Sequence, residues 1–257
     1  MNQNSVELEM ESLDGLIILI TGANAGIGRA LTLDLAHRGA TCLMLGRNVT
    51  GLEALYDEIM AAGDPEPAII PFDLSQPNPE RIVELVSAIN DQYGHLDGLI
   101  HNAAILGERV PFQQYKLSTW SEVFRVNFDA PVALTQALLP LLQRPKASSL
   151  LFVSSSVGKA PRAYWGAYAN SKYALEGFAA LLSDELANTT NIRISVVNPG
   201  ATRTNMRKAA YPAENPASVK APDALLPLMR HLIAPSSSAP RGYRFDSNAN
   251  FEPLVAE

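Results

Sequence analysis

The fold of this chain follows from one segment, Leu16-Ile-Ile-Leu-Ile-Thr21-Gly22-Ala-Asn-Ala-Gly26-Ile-Gly28. Its first six residues form an apolar run that is too short for a helix and is typical of a buried strand. Glycines follow, and helical periodicity begins directly after them. The segment therefore predicts a strand, a glycine turn and a helix in succession.

The same alternation of apolar runs and helical patterns continues along the chain, which has 257 residues. Repeated strand and helix units of this length predict a parallel sheet covered by helices on both faces. We expect one doubly wound, Rossmann-type α/β domain over residues 1–257 with about seven strands, since no repeat, linker or low-complexity segment divides it. The predicted strands are 16–21, 40–44, 68–72, 96–101, 149–154, 192–197 and 242–245; later helices are 49–62, 78–93, 119–142, bent near Pro131 and Pro140, and 165–187.

Composition narrows the class of partner. The net charge is -6, and no run of Lys and Arg is present, which argues against nucleic acid or an anionic membrane. Residues 1–14 lack the basic start and apolar stretch of a signal peptide, and no apolar run approaches transmembrane length. We therefore expect a cytoplasmic protein whose ligand is a small molecule.

The metal-binding and thiol residues are sparse. Cys42 is the single cysteine, so it forms no internal disulfide and is most simply a buried strand residue. The four histidines, which show no metal-ligand spacing, predict no metal site; they are His37, His95, His101 and His231.

A possible proton-transfer pair lies in the segment Trp165-Gly-Ala-Tyr-Ala-Asn-Ser-Lys172. Tyr168 and Lys172 share a helix face at the i and i+4 positions, where an ammonium near a phenol favours the ionised phenol. Free tyrosine, with a pKa of about 10, is a poor acid–base catalyst near neutral pH. The pattern also arises by chance on amphipathic helices, so it needs support from the rest of the chain.

The glycine turn gives that support. In a doubly wound sheet, ligands bind outside the carboxyl ends of the strands, and the first glycine turn lets a pyrophosphate approach a helix N-terminus. Side chains at Gly22, Gly26 or Gly28 would obstruct the turn, the phosphates or the packing of helix against strand. A tight connection without a ligand is the alternative.

Several segments of the chain follow one another in the order found in the short-chain dehydrogenase/reductase family, and the resemblance covers nearly the whole chain. They also resemble a YciK-type subgroup of bacterial oxidoreductases. The resemblance implies a nicotinamide-dependent oxidoreductase that exchanges hydride with a carbonyl or alcohol. The segments that carry it are Thr21-Gly22-Ala-Asn-Ala-Gly26-Ile-Gly28, Leu45-Gly-Arg-Asn48, His101-Asn102-Ala-Ala104, Asn127, Thr135-Gln-Ala-Leu-Leu-Pro-Leu-Leu142, Ser154-Ser-Ser-Val-Gly158, Tyr168, Lys172 and Asn198-Pro-Gly-Ala-Thr-Arg-Thr204.

The resemblance also implies catalytic roles. Tyr168 is the general acid and base, and Lys172 lowers the phenol pKa and hydrogen-bonds the nicotinamide ribose. The family pattern places a carbonyl-orienting serine thirteen residues before the tyrosine, which selects Ser155; Ser154 and Ser156 are second choices. Asn127 is implied to hold a water that connects Lys172 to solvent.

The cofactor is expected to be NADP(H) rather than NAD(H). NAD-selective folds place an acidic residue after the second strand to accept hydrogen bonds from the ribose 2′-hydroxyl, but this chain has Gly46-Arg47-Asn48 there. Arg47 can make charge-assisted bonds to a 2′-phosphate. Ala25 stands where many NADP-preferring members have a basic residue, so the preference need not be complete. Together with the family correspondence, the expected cofactor residues are Gly22, Asn24, Gly26, Ile27, Gly28, Arg47, Asn48, Asp73, Leu74, Asn102, Ala103, Tyr168, Lys172, Pro199, Gly200, Thr202 and Thr204.

The substrate is not identified by the sequence. Residues 106–119 and 205–222 are the expected pocket loops, and Trp165 suggests a partly aromatic wall. Four arginines are possible anion-binding residues, although each is more simply a solvated surface charge; they are Arg109, Arg162, Arg203 and Arg207.

Two other classes of function remain as alternatives. A cofactor-binding regulator or scaffold would keep the glycine turn but would not need the Ser, Tyr and Lys set. An epimerase or dehydratase on a similar fold would usually have a different glycine spacing.

The sequence also predicts an assembly. The helix face opposite Tyr168 carries a single charge and several small residues, so we expect this face to contact a second subunit in a homodimer or homotetramer. That face consists of Gly166, Asn170, Tyr173, Gly177, Leu181 and Asp184.

Overall fold

The computed structural model describes Leu8 and residues 12–254. Its strands are β1 Ile17–Thr21, β2 Thr41–Gly46, β3 Ala68–Pro71, β4 Gly98–His101, β5 Ser148–Val153, β6 Ile192–Asn198, β7 Tyr243–Asp246 and β8 Phe251–Pro253. Its helices are α1 Gly26–His37, α2 Val49–Ala62, α3 Pro79–Tyr93, α4 Leu117–Phe124, α5 Ala130–Leu142, α6 Gly166–Glu185, α7 Asn205–Ala210 and α8 Leu226–Ile233.

The strands form one sheet in the order β3-β2-β1-β4-β5-β6-β7-β8. Strands β1 to β7 are parallel, and β8 pairs antiparallel with β7. The predicted doubly wound α/β fold is confirmed. The expected count of about seven strands was low, because the described residues form eight; β8 has only three residues, too few to show a strand pattern.

The sheet separates two hydrophobic layers. Ile18 and Ile20 of β1 face the layer that contains α1, α2 and α8, and Ile17 and Leu19 face the layer that contains α3, α5 and α6. A strand buried on both faces reads as a continuous apolar run. This explains why the run before the glycine turn shows no polar alternation.

The helix predicted at residues 119–142 contains an irregular turn. Residues Arg125–Asp129 form a π-helical turn between α4 and α5, one turn before the bend expected at Pro131. Within it, the buried Asn127 side chain accepts from the Ile105 N–H at 2.8 Å and donates to the Ile105 carbonyl at 3.0 Å. Pro131 lies in the first turn of α5, where a missing N–H is tolerated.

The order of the strands places a crevice between β1 and β4. The chain moves outward from β1 to β3 and then returns to β4 on the other side of β1, and ligands bind at such a switch point. The Thr21 hydroxyl ties the two strand ends together, since it donates to Ile100 and accepts from the Asn102 N–H at 3.0 Å.

The outer face of α6 is open in the single chain. Tyr173 is 64% exposed and Leu181 is 58% exposed, and a Cβ added at Gly177 would meet nothing within 4 Å. These side chains belong to the face for which the sequence predicts a second subunit.

Candidate active site

A cleft of about 450 Å³ opens at the carboxyl ends of the strands. It is lined by every residue that the sequence assigns to the cofactor except Gly28, and by Ser155. Residues that the sequence did not assign to the cofactor also line it, among them Ala25, Phe72, Ile105, Leu106, Trp165, Met206 and Ala210. The cleft thus runs from the glycine turn to the predicted catalytic residues.

The glycine turn forms one wall of the cleft. Gly22 and Gly26 have φ angles of +67° and +53°, in the left-handed region that favours glycine. The Asn102 amide donates to the carbonyls of Thr21 at 3.0 Å and Gly22 at 3.2 Å, which holds the turn against the end of β4.

Gly28 packs beneath the turn instead of lining the cleft. A Cβ there would lie against the Gly22 carbonyl oxygen and 2.5 Å from the Asn102 amide nitrogen. Because the obstacles are backbone and a side chain that is already hydrogen-bonded, they have little freedom to move. Gly28 is therefore required by the packing of α1 on β1.

We predict that Gly28→Ala lowers the free energy of unfolding by about 3 kcal/mol, the cost of overpacking at a rigid site. Gly94→Ala is the control: nothing lies within 4 Å of its added Cβ, and its φ is +77°. That variant pays only for left-handed backbone, about 1 kcal/mol. Urea unfolding of both variants measures the difference, and equal losses would contradict the steric argument.

The far end of the cleft carries polar groups after β2 and β3. Arg47 is exposed, and Asn48 caps α2 by accepting from the Gly51 N–H at 3.2 Å. Asp73 accepts from the Ser75 N–H at 2.9 Å and from its hydroxyl at 2.8 Å. These bonds, with a smaller effect from Arg47, lower the pKa of Asp73. This end of the cleft therefore holds an ionised Asp73 carboxylate, fixed by Ser75, and an exposed Arg47 guanidinium.

The structure brings Ser155, Tyr168 and Lys172 together. Tyr168 and Lys172 are buried on α6, and the Lys172 ammonium lies 5.9 Å from the centre of the Tyr168 ring. It donates to the Val153 carbonyl at 2.7 Å. The Ser155 hydroxyl hydrogen-bonds the Tyr168 hydroxyl. A phenol, a hydroxyl and an ammonium thus meet at the end of β5.

The neighbouring serines are oriented differently. Ser154 donates its hydroxyl to the Glu176 carboxylate, and Ser156 is exposed at the start of a 3₁₀ turn, Ser156–Gly158. Of the three serines, Ser155 is the one that bonds to the phenol.

Burial sets the acidity of the pair. It raises the pKa of Tyr168 to about 12, against the opposing effect of the Ser155 hydrogen bond. It lowers the pKa of Lys172 to about 8, while the charge of Glu176 raises it. The direction for Tyr168 is opposite to the one expected from Lys172, because desolvation of the phenol exceeds the other effects. The phenol is therefore protonated at neutral pH, the form that can donate a proton.

Asn127 is placed behind the cleft. Its amide also donates to the Ser171 hydroxyl on α6 at 3.1 Å, in addition to its bonds with Ile105. In this arrangement, Asn127 ties the chain after β4 to the helix that carries Tyr168 and Lys172.

The end of the cleft beside Tyr168 is apolar and aromatic, and it includes Trp165, which the sequence suggests as an aromatic wall. Trp165 contacts both Tyr168 and Tyr211, with ring centres 5.7 Å and 6.0 Å apart. The Arg109 guanidinium lies 4.6 Å from the centre of the Trp165 ring. Val157, Ala169, Ala210, Leu106 and Met206 complete this cluster. Apart from Trp165, the sequence did not predict this cluster, because its members come from α6, α7 and the segments after β4 and β5, which are distant in the chain.

Arg207 is paired at this end. It donates to both carboxylate oxygens of Glu214, at 2.7 Å and 2.5 Å, and its guanidinium lies 3.8 Å from the centre of the Tyr211 ring. The pair raises the pKa of Arg207 and lowers that of Glu214. Of the possible anion-binding arginines, Arg207 therefore already has its counter-ion.

Comparison with known proteins places this site in a family. A family model described as short chain dehydrogenase matches residues 16–215. The chain belongs to the short-chain dehydrogenase family. Among curated members it is 39% identical to the uncharacterized oxidoreductase YciK of Escherichia coli K12, over 97% of this chain and 98% of YciK.

Solved structures of the family superimpose closely. A short-chain dehydrogenase of Shigella flexneri complexed with NADP has a TM-score of 0.89 and 40% identity, covering 93% of this chain and 99% of its own. One from Escherichia coli CFT073 complexed with NADPH has the same TM-score, identity and coverage.

Two further properties of the structure concern membrane-spanning helices and clusters of metal-binding side chains. In the part of the chain that the structure describes, no helix is long and apolar enough to cross a membrane. Over the same residues, no group of three or more His, Cys, Asp or Glu side chains is arranged to hold a metal ion.

Proposed function

We propose that the protein is an NADP(H)-dependent oxidoreductase that interconverts a carbonyl compound and an alcohol, with Tyr168 as general acid and base. The observation that carries the proposal is the cluster of Ser155, Tyr168 and Lys172 in the same cleft as the glycine turn. The Tyr168 phenol is buried, with 7% of the residue exposed, so it is a proton donor largely shielded from bulk water.

The cleft fits the dinucleotide that the family implies. The left-handed glycines leave room for a pyrophosphate near the N-terminus of α1. Arg47 follows β2, and its neighbours in the sequence are Gly46 and Asn48, so the acidic residue that NAD-selective folds place there is replaced by a cation. Relatives at 40% identity bind NADP or NADPH. When bound, this cofactor supplies or accepts the hydride.

The residues of the chain then manage the proton. In the direction of reduction, the Tyr168 hydroxyl donates its proton to the substrate oxygen, and in oxidation the phenolate accepts it. Ser155, which bonds the same hydroxyl, orients that oxygen and stabilises developing charge. Lys172 supplies positive charge beside the phenolate. The complete set disfavours a binding-only regulator, which needs none of these groups.

The panel that tests the proposal uses NADPH oxidation with neutral and carboxylate-bearing carbonyl compounds. We predict turnover of apolar aldehydes or ketones, with kcat/KM at least about 10-fold higher for benzaldehyde than for 4-carboxybenzaldehyde, because the aromatic cluster would desolvate the carboxylate while Arg207 is already paired with Glu214. Glu214→Gln should narrow this ratio, since it releases Arg207.

Two results would count against this proposal. Tight NADPH binding without turnover of any carbonyl or alcohol would favour the regulator. A wild-type preference for the carboxylate would show that another cation, such as Arg109, reaches the substrate.

A further inference from the structure

A buried ion pair lies directly behind the catalytic cluster. Glu176 is one helical turn after Lys172 on α6, and Arg244 is on β7; their side chains are 12% and 10% exposed. The Arg244 Nε atom lies 3.1 Å and 3.2 Å from the two Glu176 oxygens. Buried pairs of this kind cost desolvation energy, so they need many hydrogen bonds to persist.

Both members of the pair also bind the segment of residues 154–158, which follows β5 and contains Ser155. Arg244 donates from Nη2 to the Ser155 carbonyl at 3.0 Å, and Glu176 accepts the Ser154 hydroxyl. The turn approaches α6 so closely that a Cβ at Gly158 would lie 2.7 Å from the Glu176 carboxylate and 3.2 Å from Lys172 Cβ. The pair therefore fixes the backbone of Ser155 relative to the helix that carries the phenol.

We propose that Glu176 and Arg244 are positioning residues, which hold Ser155 against Tyr168 and set the electrostatic environment of Lys172. This inference rests on the proposed function, because it assumes that these three residues carry out the chemistry. Neither residue was singled out by the sequence, although the spacing of Glu176 after Lys172 repeats the i and i+4 relation.

The charged and titratable groups around Lys172 determine whether the Glu176–Arg244 pair raises or lowers the pKa of Lys172. Tyr168 is neutral at physiological pH, and burial lowers the pKa of His101 on β4 to about 3, so that His101 is also neutral. Glu176 favours the charged ammonium. Arg244 is bound to Glu176, and we expect its positive charge to offset part of that effect; the Glu252 carboxylate on β8 lies 3.6 Å from the Arg244 Nη1 atom. Lys172 stays protonated below its pKa of about 8 and loses its charge as the pH rises through that value.

The two single variants should shift the pKa of Lys172 in opposite directions. Glu176→Gln removes the favourable charge and lowers the pKa of Lys172 by about 1 unit, whereas Arg244→Met removes the offsetting cation and raises it. NMR titration of the protein labelled with ¹³C at lysine Cε measures this pKa without a substrate. The alkaline limb of the kcat profile should move in the same two directions.

A third variant separates the positioning role of Arg244 from its effect on the charge around Lys172. Arg244→Lys keeps the charge, but one ammonium does not reproduce the guanidinium fork that bonds both Glu176 and the Ser155 carbonyl. It should leave the Lys172 pKa near the wild-type value and still lower kcat about 10-fold, with the Kd for NADPH nearly unchanged, because misplaced catalytic groups slow chemistry without removing the binding site.

Controls make the result decisive. Glu185→Gln removes an exposed carboxylate from the same helix and should change neither the pKa nor kcat. If Glu176→Gln fails to fold because the buried Arg244 then keeps only its longer ion pair with Glu252, at 3.6 Å, the double variant Glu176→Gln with Arg244→Met removes both charges. It should show a Lys172 pKa between those of the single changes and a low kcat.

The outcomes also distinguish this inference from the proposed function. If the pKa of Lys172 is equal in wild type, Glu176→Gln and Arg244→Met, the proposed role of the Glu176–Arg244 pair is wrong, whatever the turnover. Wild-type protein without any carbonyl turnover overturns the proposed function, while the NMR titration still decides the electrostatic role of the pair.

Discussion

Tyr168→Phe should lower kcat for carbonyl reduction by about 10²- to 10⁴-fold, the range attributed to a positioned general acid. Phenylalanine keeps the ring that packs against Trp165 and removes only the hydroxyl. The substrate oxygen then has no proton donor, and the Ser155 hydroxyl loses its partner. Stopped-flow or steady-state NADPH oxidation measures kcat, and fluorescence titration measures the Kd for NADPH, which should change little.

Tyr173→Phe is the matched control for this prediction. Tyr173 lies on the same helix and is 64% exposed, so loss of its hydroxyl should leave kcat unchanged. Full turnover by Tyr168→Phe on an authentic substrate would show that the proton comes from another group. Equal losses in both variants would indicate damage to α6 instead of loss of the acid.

Much of the sheet and the main parts of the site were predictable because their signals are local. The run before Gly22 is buried on both faces, so it is continuously apolar, and the glycines that follow are required by backbone angles and contact distances. Tyr168 and Lys172 share a helix face, and their separation is a property of the helix itself.

The features that the sequence did not predict depend on long-range contacts. The π-helical turn is stabilised by the bonds of Asn127 to Ile105 and Ser171, which are distant in the chain. Helix α8 is short, and seven of its eight residues are buried, so a polar face is nearly absent. Arg244 joins the site only because β7 lies beside β6 in the sheet, and the high pKa of Tyr168 reflects burial that no local spacing reveals.

Arg47→Asp should weaken NADPH binding by about 100-fold or more, because hydrogen bonds to a charged group contribute about 1.5–3 kcal/mol and the new carboxylate repels the 2′-phosphate. NADH binding should be equal or stronger, since a carboxylate after the second strand can accept hydrogen bonds from the 2′-hydroxyl. The position supports this: Arg47 is exposed, lines the cleft and acts on the nearby Asp73 carboxyl. Fluorescence titration with both cofactors gives the ratio of the two Kd values.

The ratio is the quantity that decides the role of Arg47. A general loss of structure weakens both cofactors and leaves the ratio unchanged, whereas loss of a 2′-phosphate contact changes NADPH alone. Lys146→Asp makes the same reversal of charge at an exposed residue just before β5. This residue lies at the amino ends of the strands, whereas the cleft lies at their carboxyl ends. It therefore reports the effect of net charge by itself. If Arg47→Asp and Lys146→Asp give the same ratio, selectivity for NADPH arises elsewhere in the cleft.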